Sequence, residues 1–166
     1  MGLDEFQQGL IELLPRLRRL ARALTPQGAD ADDLVQTAIE RGLERRSQWR
    51  AGTRLDAWMF TIMKNAWIDE TRARARRGRG AAPYEAADSA PDPRVPSLEL
   101  RLEAEAVRRA VARLPEDQRL AVALVLVEGL SYAEAAKVMD VPQGTLTSRL
   151  GRGRAALMAE LAGAAA

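Results

Sequence analysis

The chain has 166 residues with 25 Lys and Arg against 23 Asp and Glu, a formal net charge of +2, and contains neither histidine nor cysteine. That absence removes disulfides, thiol nucleophiles, histidine general bases and nearly all zinc sites. No calcium-loop spacing or phosphate-cradling glycine motif is visible, so no metal and no cofactor is expected.

Helical periodicity dominates and no stretch alternates like a strand. The first helical segment carries Phe6, Leu10, Leu13, Leu14, Leu17 and Leu20 on one stripe, bent at Pro15, and ends at Thr25–Pro26–Gln27–Gly28. Asp30 is placed to cap a second helix with Leu34, Val35, Ala38, Ile39 and Leu43 inward. Asp33, Gln36 and Glu40 recur at spacings of three and four on its opposite face. Acidic groups at a helix start need no further explanation than the helix dipole, yet such a stripe also suits docking onto a basic protein surface.

After a turn at Ala51–Gly52–Thr53, a third helix runs from about Leu55 to Arg77. Trp58 reads as core, whereas Trp67 fits either the core or a stacking platform. Lys64 and Asn65 share a polar side, and the helix runs out into Arg72, Arg74, Arg76, Arg77 and Arg79. Aromatic surface beside basic groups is what single-stranded nucleic acid requires; a nonspecific phosphate patch or a solubilising tail is the plainer reading.

Composition changes at Gly78. The stretch 78–96 holds Pro83, Pro91, Pro93 and Pro96 with almost no large apolar residue, and reads as a flexible linker. Ser97 is placed to cap a helix reaching about Ala112, with Leu98, Leu102 and Val107 inward. Leu114–Pro115–Glu116 breaks it, a helix over Asp117–Glu128 follows, and Gly129 closes that one. Ser131 stands three residues before Glu134, a capping box that opens a short helix with Ala133, Ala136 and Val138 inward. Asp140–Val141–Pro142 ends it, and a new helix opens at Gln143–Gly144–Thr145 with Leu146, Leu150 and Leu157 inward.

Two short helices around a tight turn form a helix-turn-helix, whose second helix is shaped for a DNA major groove. Thr147, Ser148, Arg149, Arg152 and Arg154 cannot all face the core if those leucines do. Arginine can grip guanine edges or phosphates, and serine and threonine serve base edges and backbone. Gly151 and Gly153 either allow close approach to DNA or are merely tolerated. The fold expected is all-α: two small helical domains, residues 1–77 and 97–166, joined by a flexible linker, 78–96.

The segments DADDLVQ, LDAWMFTIMKNAWIDETRARARR and LPEDQRLAVALVLVEGLSYAEAAKVMDVPQGTLTSRLGRGRAAL resemble, in that order and spacing, an extracytoplasmic-function sigma factor of bacterial RNA polymerase. The resemblance implies a region 2-like domain that binds core polymerase through Asp30, Asp33, Gln36 and Glu40. That domain would melt and read the −10 element through Lys64, Asn65, Trp67, Arg72, Arg74, Arg76 and Arg77, with Asn65 where the family holds a flipped base. It further implies a region 4-like domain that reads the −35 element through Thr145, Thr147, Ser148, Arg149, Arg152 and Arg154. Implied partners are the clamp helices and flap of the polymerase core, promoter DNA and an anti-sigma factor; no enzymatic activity is implied.

The N-terminus begins with Asp4 and Glu5 and shows no signal peptide, and no apolar stretch is long enough to cross a bilayer, so a cytoplasmic protein is expected. The chain ends soon after the recognition helix, in Ala162–Ala166, and no additional C-terminal regulatory domain is expected. Two alternatives stay open: a sigma-mimicking decoy that sequesters an anti-sigma factor, and an ordinary helix-turn-helix transcriptional regulator.

Overall fold

The computed structural model describes residues 2–78 and 97–165, and every regular element among them is helical. The linker expected over 78–96 lies outside the described residues, Gly78 aside.

Helix α1 (Glu5–Leu24) is capped by Asp4, whose carboxylate accepts from Gln7 N while the Gln7 side chain accepts from Asp4 N. Pro15 sits inside it on an exposed face. The buried set Phe6, Leu10, Leu13, Leu17, Leu20, Ala21 and Leu24 follows the predicted stripe. Helix α2 (Gly28–Glu44) begins one turn earlier than expected: Gln27 is its N-cap, and Asp30 lies in the first turn, where it faces the positive helix end. Leu43, expected inside, is exposed because the inward stripe passes through Gly42 instead.

Helix α3 (Leu55–Arg76) is the centre of the molecule. Met59, Phe60, Ile62, Met63, Ala66 and Trp67 are all buried, an arc of about 160° that buried Lys64 widens to about 200°. A helix needs that wide an apolar surface only when it is covered on two sides, and α3 packs against α1 and α2 on one side and against α6 on another.

In the second group, α4 (Leu98–Ala112) is capped by Ser97, which accepts from Leu100 N at 3.2 Å. Its buried residues are Ala110 and Val111; Leu98, Leu102 and Val107 are exposed, because only the C-terminal end of α4 lies in the bundle. Helix α5 (Glu116–Val122) continues into a π-helical turn, Ala123–Val127, where periodicity alone predicts ordinary helix. Gly129 then adopts φ 72° and reverses the chain. Helices α6 (Tyr132–Met139) and α7 (Gln143–Ala165) complete the helix-turn-helix. On α6 the buried face is Ala135, Ala136, Val138 and Met139, while Ala133 points outward.

Helices α1–α3 and α4–α7 share one continuous apolar core. Helix α1 packs against α4, α5 and the π turn, and α3 against α6. Each large side chain fully buried there, Phe60 and Leu17 among them, contributes about 1.5–3 kcal/mol of transfer free energy.

Candidate nucleic-acid and protein docking surfaces

The helix-turn-helix is built by local chemistry. Ser131 accepts from Glu134 N at 3.2 Å and the Glu134 carboxylate accepts from Ser131 N at 2.9 Å, the predicted capping box. The hydrogen bond from the Ser131 amide is the largest cause holding the Glu134 carboxyl below its usual range, with Arg54 adding to it. Asp140 ends α6 in the left-handed region at φ 55°, a conformation that Asp tolerates better than most residues. The Pro142 carbonyl then accepts from the amides of Thr145 and Leu146, opening α7.

Burial of Leu146 and Leu150 sets the rotation of α7. Thr147, Ser148, Arg152 and Arg154 are thereby exposed, whereas Thr145 is half-buried. Arg152 donates from Nη2 to Ser148 Oγ at 3.2 Å, so the two present one polar unit. Arg149 behaves differently: its Nε lies 3.4 Å from Asp117 Oδ2 of α5, and its side chain is only 28% exposed. It lines the flank of the α5–α7 contact and offers solvent only part of its guanidinium.

The surface expected on α3 is split. Asn65 is exposed, as are Arg72, Arg76 and Arg77. Trp67 is not a platform here: at 6% exposure its ring is part of the core, and stacking needs a free ring face. Lys64 is equally buried, at 6%; desolvation pulls its pKa down, and the nearby Asp140 charge opposes that shift. For Lys64 the cause is the second wall that α6, with Asp140 at its C-cap, supplies to α3. The arginine cluster is also partly neutralised. Arg74 pairs with Asp30 at 2.9 Å and Glu70 at 3.1 Å, and Arg77 pairs with Glu70 at 3.2 Å. Arg72 and Arg76 make no ion pair among the described residues. Arg79 lies outside them.

On α2, Asp33, Gln36 and Glu40 are exposed on one face, with Gln36 Nε2 donating to Glu40 Oε1 at 3.1 Å. Asp30 does not join them freely, being paired to Arg74. Beside this stripe lies an open groove of about 510 Å³ between α1 and α2, lined by Arg18, Arg22, Asp32, Val35, Gln36, Ile39 and Glu40. An apolar floor with charges of both signs along its rim fits a protein segment better than a small molecule. Arg18 and Arg22, spaced four apart opposite the leucine stripe, share one exposed face of α1 that their sequence spacing marks. Arg45 and Arg50, between α2 and α3, are exposed as well. No group of side chains among the described residues could hold a metal ion, and no described helix is long and apolar enough to cross a membrane.

Residues 104–157 match the family model for sigma-70, region 4, and residues 10–64 match that for the sigma2 domain of PhyR. Over 158 residues, 95% of this chain and 86% of the relative, the sequence is 35% identical to the ECF RNA polymerase sigma factor EcfG of Rhodopseudomonas palustris (strain TIE-1). It is 36% identical over 142 residues to the ECF RNA polymerase sigma factor SigM of Mycobacterium tuberculosis (strain ATCC 25618 / H37Rv), covering 86% of this chain and 69% of that one. Among solved structures, the sigma factor RpoE in co-crystals with the anti-sigma factor NepR from Bartonella quintana superposes with a TM-score of 0.81 at 30% identity, over 96% of this chain and 98% of that chain.

Proposed function

The chain belongs to the extracytoplasmic-function sigma factors of the sigma-70 family, and from that membership we propose a division of labour among its surfaces. Residues 1–77 act as the domain that binds core polymerase and reads the −10 element. Residues 97–166 act as the domain that reads the −35 element, and 78–96 connect them. The stripe Asp33, Gln36 and Glu40, with the groove beside it, docks on the polymerase core. Asn65, with Arg72 and Arg76, takes the melted strand; unstacking a base costs a few kcal/mol, which pocket contacts must return. Thr147, Ser148, Arg152 and Arg154 enter the −35 major groove as duplex readers, with Arg149 at the flank. A sigma factor is a non-catalytic initiation factor, and this one works in the cytoplasm, where polymerase and promoter are. An anti-sigma factor restrains it, as suggested by the fold it shares with a sigma factor crystallised with one.

The observation that carries the reading is the exposed polar face of α7 on a capped helix-turn-helix, in the same chain as the acidic stripe of α2. Transcription in vitro from a random promoter library, with core polymerase in the presence and absence of the chain, tests it. Start sites sharing spaced −35 and −10 motifs are expected; core binding without transcripts would remove the promoter-reading assignments.

The fold shared with a sigma factor crystallised with an anti-sigma factor leaves one second reading, a decoy that engages an anti-sigma factor without touching DNA. Outward Arg152 and Arg154 argue against it, because a decoy has no use for a basic recognition face. A chain that captures the anti-sigma factor yet never binds core would reverse that judgement.

A further inference from the structure

The side chain of Glu128 has no exposed surface. A buried carboxylate is costly unless it is fully paired, and the backbone around this one is itself unusual. The π turn at Ala123–Val127 brings the Glu128 amide onto the Ala123 carbonyl at 3.0 Å, and the Leu130 amide onto Leu124 at 3.0 Å. Such turns are rare and gather at functional positions. Here the turn delivers Glu128 onto α1.

Arg19 meets it as a fork, Nε donating to Oε1 at 2.9 Å and Nη2 to Oε2 at 3.0 Å. Arg16 adds Nε to Oε2 at 3.1 Å, while its Nη1 donates to Asp56 Oδ2 at 2.9 Å and its guanidinium lies 5.0 Å from the Phe60 ring centroid. One carboxylate therefore ties α1, and through Arg16 also α3, to the C-terminal helices. Other links run in parallel. Arg119 donates to the Leu24 carbonyl at the end of α1 at 3.0 Å, and Arg54 pairs with Glu134 of the capping box. Apolar contact is non-directional, whereas a forked ion pair on a buried carboxylate selects one register, even with Arg19 itself half-exposed.

We infer that Glu128 is the pin of a closed state of the free chain, in which α6 covers α3 and the two groups of helices are held together without any partner. The consequence rests on the sigma-factor reading; the latch itself does not. Elements centred near −35 and −10 are about 25 base pairs apart, about 85 Å along the duplex at about 3.4 Å per pair. A compact chain of this length has a radius of gyration of only about 15 Å. Closed, it cannot place α3 and α7 on both elements, so release of Glu128 from Arg16 and Arg19 precedes promoter engagement.

The lack of cysteine makes the test direct. Ser47→Cys and Ala155→Cys, both at exposed positions, carry a donor and acceptor for single-molecule energy transfer on the full chain, free of polymerase, DNA and anti-sigma factor. One compact, high-transfer population is expected. Glu128→Gln, which keeps size and loses charge, should raise the open-to-closed ratio about tenfold or more, and Arg16→Ala with Arg19→Ala should do the same from the other side. Glu99→Gln, exposed at the start of α4, should leave it unchanged. Circular dichroism separates opening from unfolding; should Glu128→Gln lose helix, the arginine pair decides. An extended wild-type chain, or latch variants as closed as wild type, overturns the proposal. A chain that opens as described but fails to direct transcription would count against the sigma-factor reading and leave the latch standing.

Discussion

Gly153 of α7 lies so close to Val122 of α5 that a Cβ added to it would stand 2.8 Å from the valine Cγ2 and 3.4 Å from the Gln118 carbonyl oxygen. Gly151, two residues earlier on the same helix, would place its Cβ in open space. The two glycines therefore have opposite meanings. Gly151→Ala should stabilise the chain by about 1 kcal/mol through helix propensity alone. Gly153→Ala gains the same propensity but overpacks a branched neighbour, which costs about 1–3 kcal/mol, and should come out neutral to destabilising. Chemical denaturation of the two variants checks this; equal stabilisation by both would remove the close approach from the account of how α7 is seated.

The arginines of α7 divide in a similar way. Arg152→Ala removes an exposed fork and should weaken binding to a −35 duplex by about 1–3 kcal/mol. Arg149→Ala should weaken it by a comparable amount, but with a different signature, because Arg149 also pairs with Asp117. Its loss should be coupled to Asp117→Ala in a double-mutant cycle, whereas Arg152→Ala should add independently. Fluorescence anisotropy with a labelled duplex measures all of these, and no coupling between Arg149 and Asp117 would return Arg149 to the outward-facing set.

What the sequence made legible was mostly local. The Ser131–Glu134 box, the Ser97 cap and the Gly129 stop each depend on residues within a few positions of one another, and all three stand in the structure. Apolar stripes were legible where a helix has one buried side, as in α1. They failed where tertiary context intervenes. Trp67 turned into the core, Lys64 went inside because α6, more than 60 residues away, packs on α3, and Leu98 and Leu102 stayed outside because their end of α4 projects beyond the core. The Glu128 clamp was invisible for the same reason. Its partners lie 109 and 112 residues away, and its placement needs a π turn that no residue pattern announces.

Asn65 is exposed on a helix whose neighbouring positions are buried, so truncating it should not disturb the fold. Asn65→Ala is expected to retain core binding, measured by co-migration with polymerase, while reducing open-complex formation at a matched promoter. Normal permanganate reactivity of the melted strand in that variant would take Asn65 off the −10 surface.

On α2 the exposed stripe predicts the converse separation. Asp33→Lys with Glu40→Lys reverses charge on a face that leaves the core untouched, so thermal stability should stay within about 0.5 kcal/mol of wild type. Association with core polymerase should fall at least tenfold at moderate salt, because charge complementarity governs capture across such a face. Binding of the isolated −35 duplex should be unchanged, which separates loss of docking from loss of fold. Undiminished core affinity would move the docking surface off α2.

Asp56 gives a prediction in pH. Its carboxylate accepts from Arg54 Nη2 at 2.7 Å and Nε at 2.9 Å, from Arg16 Nη1 at 2.9 Å, and from the Ala57 amide at 2.8 Å. The Arg54 hydrogen bonds are the largest cause holding it well below the ordinary value of 3.8, and partial burial works against them. A carboxyl depressed in the folded state binds fewer protons there than in the unfolded chain, so stability rises with pH across the interval between the two values. The contribution is complete at neutral pH and is lost progressively as pH falls below about 5. Asp56→Asn should therefore lower stability at pH 7 by about 2 kcal/mol and flatten the acid limb of the stability profile, so that the gap between variant and wild type narrows progressively as pH falls from about 5 toward 2. Parallel profiles for the two proteins between pH 7 and pH 2 would show that Asp56 does not titrate with folding, and would detach Arg54 and Arg16 from any role in holding it.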